Sequence, residues 1–561
     1  MKGLILKISN NGKLHLRMSV DNVCSDLPPC HKTSPVVLFL LSLICLVIPY
    51  IATAKPEESV NLTDAVSATI TVVPGSVLRR NLPDTFFGFN IRWTNFQKDL
   101  WDSDNARVKP EIVDAMKPFK GALFRYPGGL VANEYIWEEA ILPMDERKHI
   151  DWQKPLQDRP PLFGVDEFFD FVKQVKGTPL YTLNLVGRGK PSNIQEFPLS
   201  RITESNRELA RHIVKLTPEN SVRYYQLGNE LDRSRYQWPH SKYIQRSLAS
   251  IQAIRQVDPD AKFIAFLREF NWRYRYGKSG VSKYQDFMGD VLTGLPMVND
   301  YSIHVYYDAE VSPGGKFLHI PDAIERISRT LAVAKKVRKS TPVNVWITEH
   351  ARRFDFDRNN EAQAKEVTTN LGGAISTADF MIAMAQIPEV EGMSVQALNG
   401  VARQIFDASV KHNDLRPRPL LYAMKVLNSS HGGAVLLTRS TSKNNSGYEG
   451  GYDVRATAFV DDSDVLSVWV VNRAPAEIVA DIEYMPFRGT DVHMKHYYLA
   501  GKSGVSADSV GDEYGLELDP KKESLRFSDD GLVGVTLPPS SISTFHFRRA
   551  DVRQGGDITG P

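Results

Sequence analysis

At 561 residues the chain is long enough for two or three domains and a large core. A formal charge of +2, with 24% charged and 42% hydrophobic residues, excludes a disordered chain and gives no global reason to expect nucleic acid as a partner. All three cysteines, Cys24, Cys30 and Cys45, lie ahead of residue 55, so the remainder holds no disulfide, no cysteine nucleophile and no thiolate metal site.

Residues 1–54 read as a leader. The apolar run "SPVVLFLLSLICLVIPYIATA" has Lys32 just upstream and ends in Ala52-Thr53-Ala54, the pattern of a secretory signal with a small-residue cleavage site. Cleavage there starts the exported chain near Lys55 and predicts a secreted, periplasmic or envelope protein. The leader is long, which leaves Met18 as a second candidate start, and if uncut the run would serve as a membrane anchor. It carries five Lys/Arg against two Asp, so the exported part stands near −1.

Residues 55–85 contain "SATITVVPGSVLRR", an alternating run expected to join a sheet elsewhere in the chain. From Phe86 to about residue 430, short β-rich runs alternate with stretches of helical period. The strand candidates are "FFGFNIRW", "GALFRYPGG", "GTPLYTLNL", "VRYYQLGNE", "AKFIAFLRE", "VNDYSIHVYY", "PVNVWITEH" and "VEGMSVQALNG". Between them, segments such as "VDEFFDFVKQVKG", "SKYIQRSLASIQAIRQVDPD" and "IPDAIERISRTLAVAKKVRKS" repeat apolar residues every three or four positions. Connections too long for hairpins imply parallel pairing through right-handed crossovers. Eight such units predict an α/β (β/α)8 TIM barrel; an open doubly wound sheet is the alternative, although no Gly-rich nucleotide loop follows the first strand. After "PLLYAMKVLNSS", the expected eighth helix, residues 431–561 show seven β-rich runs separated by Asn, Gly, Asp and Ser, which predict an antiparallel β-sandwich.

Barrels of this type place their chemistry at the carboxyl ends of the strands. The fourth run ends in Asn229-Glu230 and the seventh in Thr348-Glu349-His350. Two carboxylates facing each other across a cleft are what glycosidic bond hydrolysis requires, one protonated to release the leaving oxygen and one ionised to attack or to activate water. Each glutamate alone could equally be an ordinary ion pair at the rim, as could Glu269 and Asp308 at neighbouring strand ends.

The ordered motifs "FRYPGGLVANEYIWEEAILP", "PLFGVDEFFDFVKQV", "LGNELDRSRYQWP", "SIHVYY" and Gln396-Ala397-Leu398-Asn399 resemble family 51 glycoside hydrolases, the α-L-arabinofuranosidases of clan A. The closing "VTLPPSSIS" is similar to the end of that family's sandwich domain, and the likeness runs from about Phe86 to Phe547. The resemblance implies a retaining mechanism with Glu230 as acid/base and Glu349 as nucleophile. It implies further that the Asn229 amide binds the sugar 2-hydroxyl, that Arg125 holds the nucleophile ionised, and that His304, Tyr306 and Gln396 border the same site. Three positions depart from the family pattern: Arg92 stands where the family keeps a glutamate for the sugar hydroxyls, Leu130 replaces a polar or small residue, and His350 follows the nucleophile in place of a large residue. The catalytic machinery reads as kept and the glycone pocket as altered.

Cations cluster beyond the strand ends: Arg92, Arg188, Lys190, Arg233, Arg235, Arg268, Arg273, Arg275, Arg352, Arg353 and Arg403. They fit anionic sugars, or they pair with acids in the same loops. Trp93, Trp137, Trp152, Tyr236, Trp238, Trp272, Tyr274 and Tyr307 share those loops, and Trp137 and Trp238 are candidates for stacking on sugar rings. The expectation is an exported retaining glycosidase acting on plant or algal oligo- or polysaccharides, with no metal or organic cofactor. Three alternatives are a clan A exo- or endo-glycosidase of different specificity, uronic or sulfated polysaccharides among its candidate substrates, a catalytically inactive carbohydrate-binding relative, and, if the leader stays uncut, a membrane-anchored enzyme of polysaccharide assembly.

Overall fold

The computed structural model describes residues 67–147, 160–190, 193–218, 221–232, 236, 238–268, 278–310, 317–353, 366–399, 404–408, 415–511 and 513–550, together with 7–8 and 14–15. Within Met1–Asp64, Lys7–Ile8 pairs antiparallel with Leu14–His15. The apolar run of the leader and its Ala-Thr-Ala end lie outside the described residues. Among the described residues no helix is long and apolar enough to cross a membrane.

Ala65–Pro561 form one compact unit. Its eight parallel strands close into a barrel in chain order: Gly88–Asn90, Leu123–Tyr126, Thr178–Thr182, Tyr224–Leu227, Lys262–Phe266, Asp300–Tyr307, Asn344–Arg352 and Val390–Val395. Closure, made by Val395 opposite Phe89, rules out the open sheet. Each strand is followed by at least one helix, from Trp93–Asp99 and Pro110–Met116 after the first to Pro419–Asn428 after the eighth.

The helices follow from the sequence pattern. Leu199–Leu216 buries Ile202, Leu209, Ala210 and Ile213, a stripe at helical spacing, and turns its charges outward. Leu371–Ala385 is mostly apolar and buried on every side, because it lies between the barrel and the C-terminal sheet. The Thr457 hydroxyl donates to its Ile382 carbonyl at 2.7 Å, and Asn370 caps its first turn by accepting from the Gly373 N–H at 3.0 Å.

The C-terminal sheet has nine hydrogen-bonded strands in the order Gly515–Arg526, Asp491–Ala500, Ser541–Arg549, Leu466–Asn472, Val454–Val460, Ala434–Ser442, Ser67–Arg79, Ile478–Glu483 and Leu532–Leu537. Ser67–Arg79 pairs antiparallel with Ala434–Ser442 but parallel with Ile478–Glu483, so the sheet is not wholly antiparallel. Gly515–Arg526 has no counterpart among the seven predicted runs. It is an edge strand bearing Glu517, Asp519, Lys521, Lys522 and Glu523, and an edge needs no apolar face. One face of the two sheet halves encloses a core including Ile70, Val468, Ile482, Val535 and Phe545. On the other, Trp469, Phe459, Leu499 and Ile542 belong to the barrel core, with the Trp469 ring 5.9 Å from Phe87.

Two buried acids tie barrel to sheet. Asp308 accepts from the Ser376 hydroxyl at 2.7 Å, the Tyr448 hydroxyl at 2.6 Å and Arg473 at 3.0 Å. Asp379 accepts from Arg455, Arg473 and Tyr452, each at 2.5 Å. Burial alone would raise the Asp308 carboxyl; the Arg473 charge and the surrounding donors outweigh it and hold the group well below the usual carboxylate range.

Candidate active site

The barrel interior changes character along its axis. Its lower layer is apolar, with Leu123, Leu180, Ile264 and Trp346 packed together and Tyr224 against them. Two residues further on, the same inward parity presents Arg125 and Gln226, so the polar site sits on an apolar floor.

Glu230 stands just past the fourth strand in a left-handed turn, Gly228 at φ +74° and Glu230 at φ +47°. A Cβ on Gly228 would approach Leu231 Cδ1 to 2.5 Å, so this turn requires glycine. A non-glycine residue at positive φ costs free energy and persists only where the surroundings enforce it. Here Asn133 enforces it: its amide oxygen accepts from the Asn229 N–H at 2.9 Å and its amide nitrogen donates to the Asn229 carbonyl at 2.6 Å.

Glu349 arrives through an irregularity in the seventh strand. Register with the sixth strand shifts at His304, which faces Glu349 where continuation from Ile303 opposite Ile347 would bring Thr348. The Thr348 hydroxyl lies 2.5 Å from Ser302 and 3.1 Å from His304 Nε2, so Thr348 and Glu349 both reach the inner side. His350 turns outward, 3.0 Å from the Tyr307 hydroxyl, where burial lowers its imidazole to about 3 and leaves it neutral.

Around the pair the contacts converge. Arg125, fully buried, donates to Glu349 Oε1 at 3.0 Å, to Gln226 at 2.7 Å and to Asn229 Oδ1 at 2.6 Å. The Tyr306 hydroxyl donates to Glu349 Oε2 at 3.0 Å. His304 Nδ1 lies 3.1 Å from Glu230 Oε1 and 3.5 Å from Glu349 Oε2. One oxygen of Glu230, one of Glu349 and a His304 nitrogen all fall within 4.8 Å of one another. Burial would raise the Glu349 carboxyl, but His304 and Arg125, with the Tyr306 hydroxyl, hold it below its ordinary value despite Glu230 nearby. Because Arg125 occupies Asn229 Oδ1, the amide nitrogen is left buried with no protein partner and can donate to a ligand.

The same three groups are the one cluster among the described residues that could surround a metal ion. Arg125 already neutralises Glu349, and a second buried cation beside it would be repelled, so the donor set suits an acid and a base better than a metal.

The structure therefore brings Glu230, Glu349, Arg125, Asn229, His304 and Tyr306 together. Gln396 lies at the rim, where its side-chain oxygen accepts from Asn90, the register neighbour of Arg125. Arg92 begins the helix after the first strand, and its stem runs beside Gly129.

Two assignments need correction. Trp137 is 8% exposed, donates from its ring nitrogen to Ser205 at 3.0 Å and packs on His212, so it joins the short helix Trp137–Ala140 to Leu199–Leu216 and offers no face to a sugar. Trp238 donates to Glu196 at 2.6 Å, and Lys242 and Arg246 lie over its ring at 4.9 and 5.0 Å, which occupies it with cations. Trp93 and Tyr307 are likewise core residues. Among the cations at the mouth, Arg188 pairs with Glu139, Arg268 with Asp232, and Arg352 with Asp508 at 2.8 Å. Arg353 lies 5.7 Å from the Tyr306 ring centre. Lys190, Arg233, Arg235, Arg273, Arg275 and Arg403, with Trp152, Trp272, Tyr274 and Glu269, fall outside the described residues or side chains.

Sequence reasoning missed Gln226, Asn133, Asn90 and Thr348. Gln226 had a signal, since it follows Tyr224 by two on a strand ending at the site; Asn133 had none, because its partner is 96 residues away.

The family model for the α-L-arabinofuranosidase 1 domain matches residues 115–311, which take in Arg125, Glu230, His304 and Tyr306 and stop short of Glu349. An intracellular exo-α-(1→5)-L-arabinofuranosidase of Streptomyces lividans is 25% identical over 38% of this chain and 32% of its own. An exo-α-(1→6)-L-arabinofuranosidase of Bifidobacterium longum is 22% identical over 80% of this chain and 90% of its own. The chain spans 32% and 51% of the lengths of the first two curated relatives it matches. The α-L-arabinofuranosidase of Thermotoga maritima, solved with arabinose, superposes with a TM-score of 0.66 at 16% identity over 85% of this chain and 99% of its own. In sequence and in fold the chain is thus α-L-arabinofuranosidase-like, similar to the enzymes of glycoside hydrolase family 51.

Proposed function

We propose that the chain is a retaining glycoside hydrolase of the arabinofuranosidase type. The observation that carries this is the approach of Glu230 and Glu349 to within 4.8 Å. A separation of about 5 to 5.5 Å allows direct attack, whereas inversion needs room for a water between the groups. Glu349, held ionised by Arg125 and Tyr306, attacks the anomeric carbon while Glu230 gives its proton to the departing oxygen. Glu230 then takes a proton from the water that releases the sugar from Glu349. The free Asn229 amide hydrogens are placed to bind the hydroxyl beside the anomeric carbon. This double displacement requires no metal or cofactor.

The pairing of Arg188, Arg268 and Arg352 within the protein favours a neutral furanoside over a uronic or sulfated sugar at the mouth. The leader motif supports export to the periplasm, the envelope or the medium. An aryl α-L-arabinofuranoside followed by NMR tests the reading. Cleavage with the α-anomer released first is expected, and Glu349→Gln should abolish it while sugar binding persists. Release of the β-anomer first, or undiminished turnover by the variant, overturns the proposal.

A further inference from the structure

At the far end of the barrel from the catalytic carboxylates, the C-terminal sheet overhangs the last helix and leaves a cleft of about 800 Å3. Pro419–Asn428 runs back from the strand carboxyl ends, and Ser429, just past its end, lines the cleft. The sheet face concerned is the one turned toward the barrel. Leu499 and Ile542 on it pack in the barrel core, and Thr544 donates to the Val426 carbonyl at 3.0 Å. Beyond the helix end the same face presents His493, Lys495 and Tyr497 from one strand, His546 and Arg548 from its neighbour, and Lys522 from the edge strand.

Register sets these groups directly against each other. Lys495 faces Lys522 on one side and His546 on the other, and His493 faces Arg548. Lys495 and Lys522 are like charges directly opposite across two strands, an unfavourable pairing that an anion seated between them would relieve. Among the described residues Lys495, Lys522 and Arg548 form no ion pair, and Glu523 is the one carboxylate lining the cleft. His546 Nε2 and Arg548 Nε are buried without a partner. Burial and then the charge on Lys495 hold the His546 imidazole at about 4, so it is neutral and can donate or accept.

We infer that this cleft is a second carbohydrate site, binding a carboxylate-bearing polysaccharide chain through Lys495, Lys522 and Arg548 with Tyr497 and the imidazoles as its walls. The choice of a sugar polymer rests on the glycosidase reading; the anionic character rests on the cleft alone. A near-neutral chain and a concave surface fit a single polymer strand better than duplex nucleic acid or a flat bilayer. The site would hold the enzyme on an acidic backbone while the barrel removes neutral side chains.

Equilibrium binding of the full chain to polygalacturonate, to its methyl-esterified form, to duplex DNA and to phosphatidylglycerol vesicles tests this. Polygalacturonate should bind and esterification should weaken it by roughly tenfold or more, as loss of charge pairing demands. Lys495→Glu and, separately, Arg548→Glu should raise the Kd by a similar factor while leaving arabinofuranoside reporter turnover unchanged, which also shows that both variants fold. Equal binding of the esterified polymer, or unchanged Kd in both variants, refutes the site, and so does failure of polygalacturonate to bind. Tighter binding of DNA or vesicles refutes the carbohydrate assignment. A wild-type chain that binds polygalacturonate but leaves the reporter intact would sink the glycosidase reading and keep the anion site.

Discussion

Replacing Tyr306 by phenylalanine removes one hydroxyl and leaves the ring, and with the hydroxyl goes the 3.0 Å donation to Glu349 Oε2. A hydrogen bond to a charged group contributes about 1.5 to 3 kcal/mol. Losing it raises the Glu349 carboxyl, because a donor to the charged form is removed while the burial remains. The sign follows from the folded protein: Arg125, His304 and Tyr306 hold this carboxyl below its ordinary value, and burial opposes them, so losing a donor lets burial push it up. The nucleophile must be ionised, so activity falls as pH drops through this pKa, and the acid limb of kcat/KM moves to higher pH in the variant. On the plateau above both values, the remaining loss reports transition-state stabilisation and should be about tenfold to a hundredfold. The assay is a pH profile of kcat/KM on an aryl arabinofuranoside for both proteins. An acid limb that stays in place, with turnover reduced at every pH alike, would mean that Tyr306 does not act through Glu349.

Glu230→Gln should slow substrates with poor leaving groups far more than those with good ones, because only the former need the proton; an equal loss across a leaving-group series would remove Glu230 from the acid role. Asn133→Ala breaks both contacts to the Asn229 backbone and should lower kcat by roughly tenfold with KM little changed, about 1 to 2 kcal/mol; a pure KM effect would contradict a positioning role. Dialysis against EDTA should leave turnover unaltered, and activity lost and then restored by a divalent ion would place a metal among Glu230, His304 and Glu349. Arg473→Met takes a shared cation from two buried carboxylates and should cost about 3 to 5 kcal/mol of stability, read as a lower denaturation midpoint. Asp308 contributes stability that is present above its unfolded pKa of about 3.9 and is lost as pH falls below it. The wild-type midpoint should therefore drop more steeply below pH ~4 than that of Asp308→Asn, and parallel curves would refute the assignment.

What could be read in advance was what local pattern determines. Each barrel strand is a short apolar run between amphipathic helices, and both periods are written in consecutive residues, so eight strands and their closure could be anticipated. The polar edge strand Gly515–Arg526 could not, because its pairing comes from the neighbour Asp491–Ala500 and not from any alternation of its own. Trp137 and Trp238 show the opposite error: an aromatic in a loop near the mouth looks available, yet the fold gave one to a serine and the other to two cations.

The site itself divides along the same line. Glu230 and Glu349 could be found because a strand end is a position in the sequence, and inward parity could be counted from the apolar floor. What makes them different from each other could not be counted. Glu349 gains Arg125 from the second strand, Tyr306 from the sixth and a one-residue irregularity in its own strand, while Glu230 is fixed by an asparagine from the loop after strand two. An acid and a nucleophile are the same residue type given unlike surroundings, and those surroundings are assembled from four separate stretches of chain. The division of roles is therefore a property of the closed barrel: perturbing Arg125 or Asn133 should alter one glutamate's chemistry without touching either carboxylate.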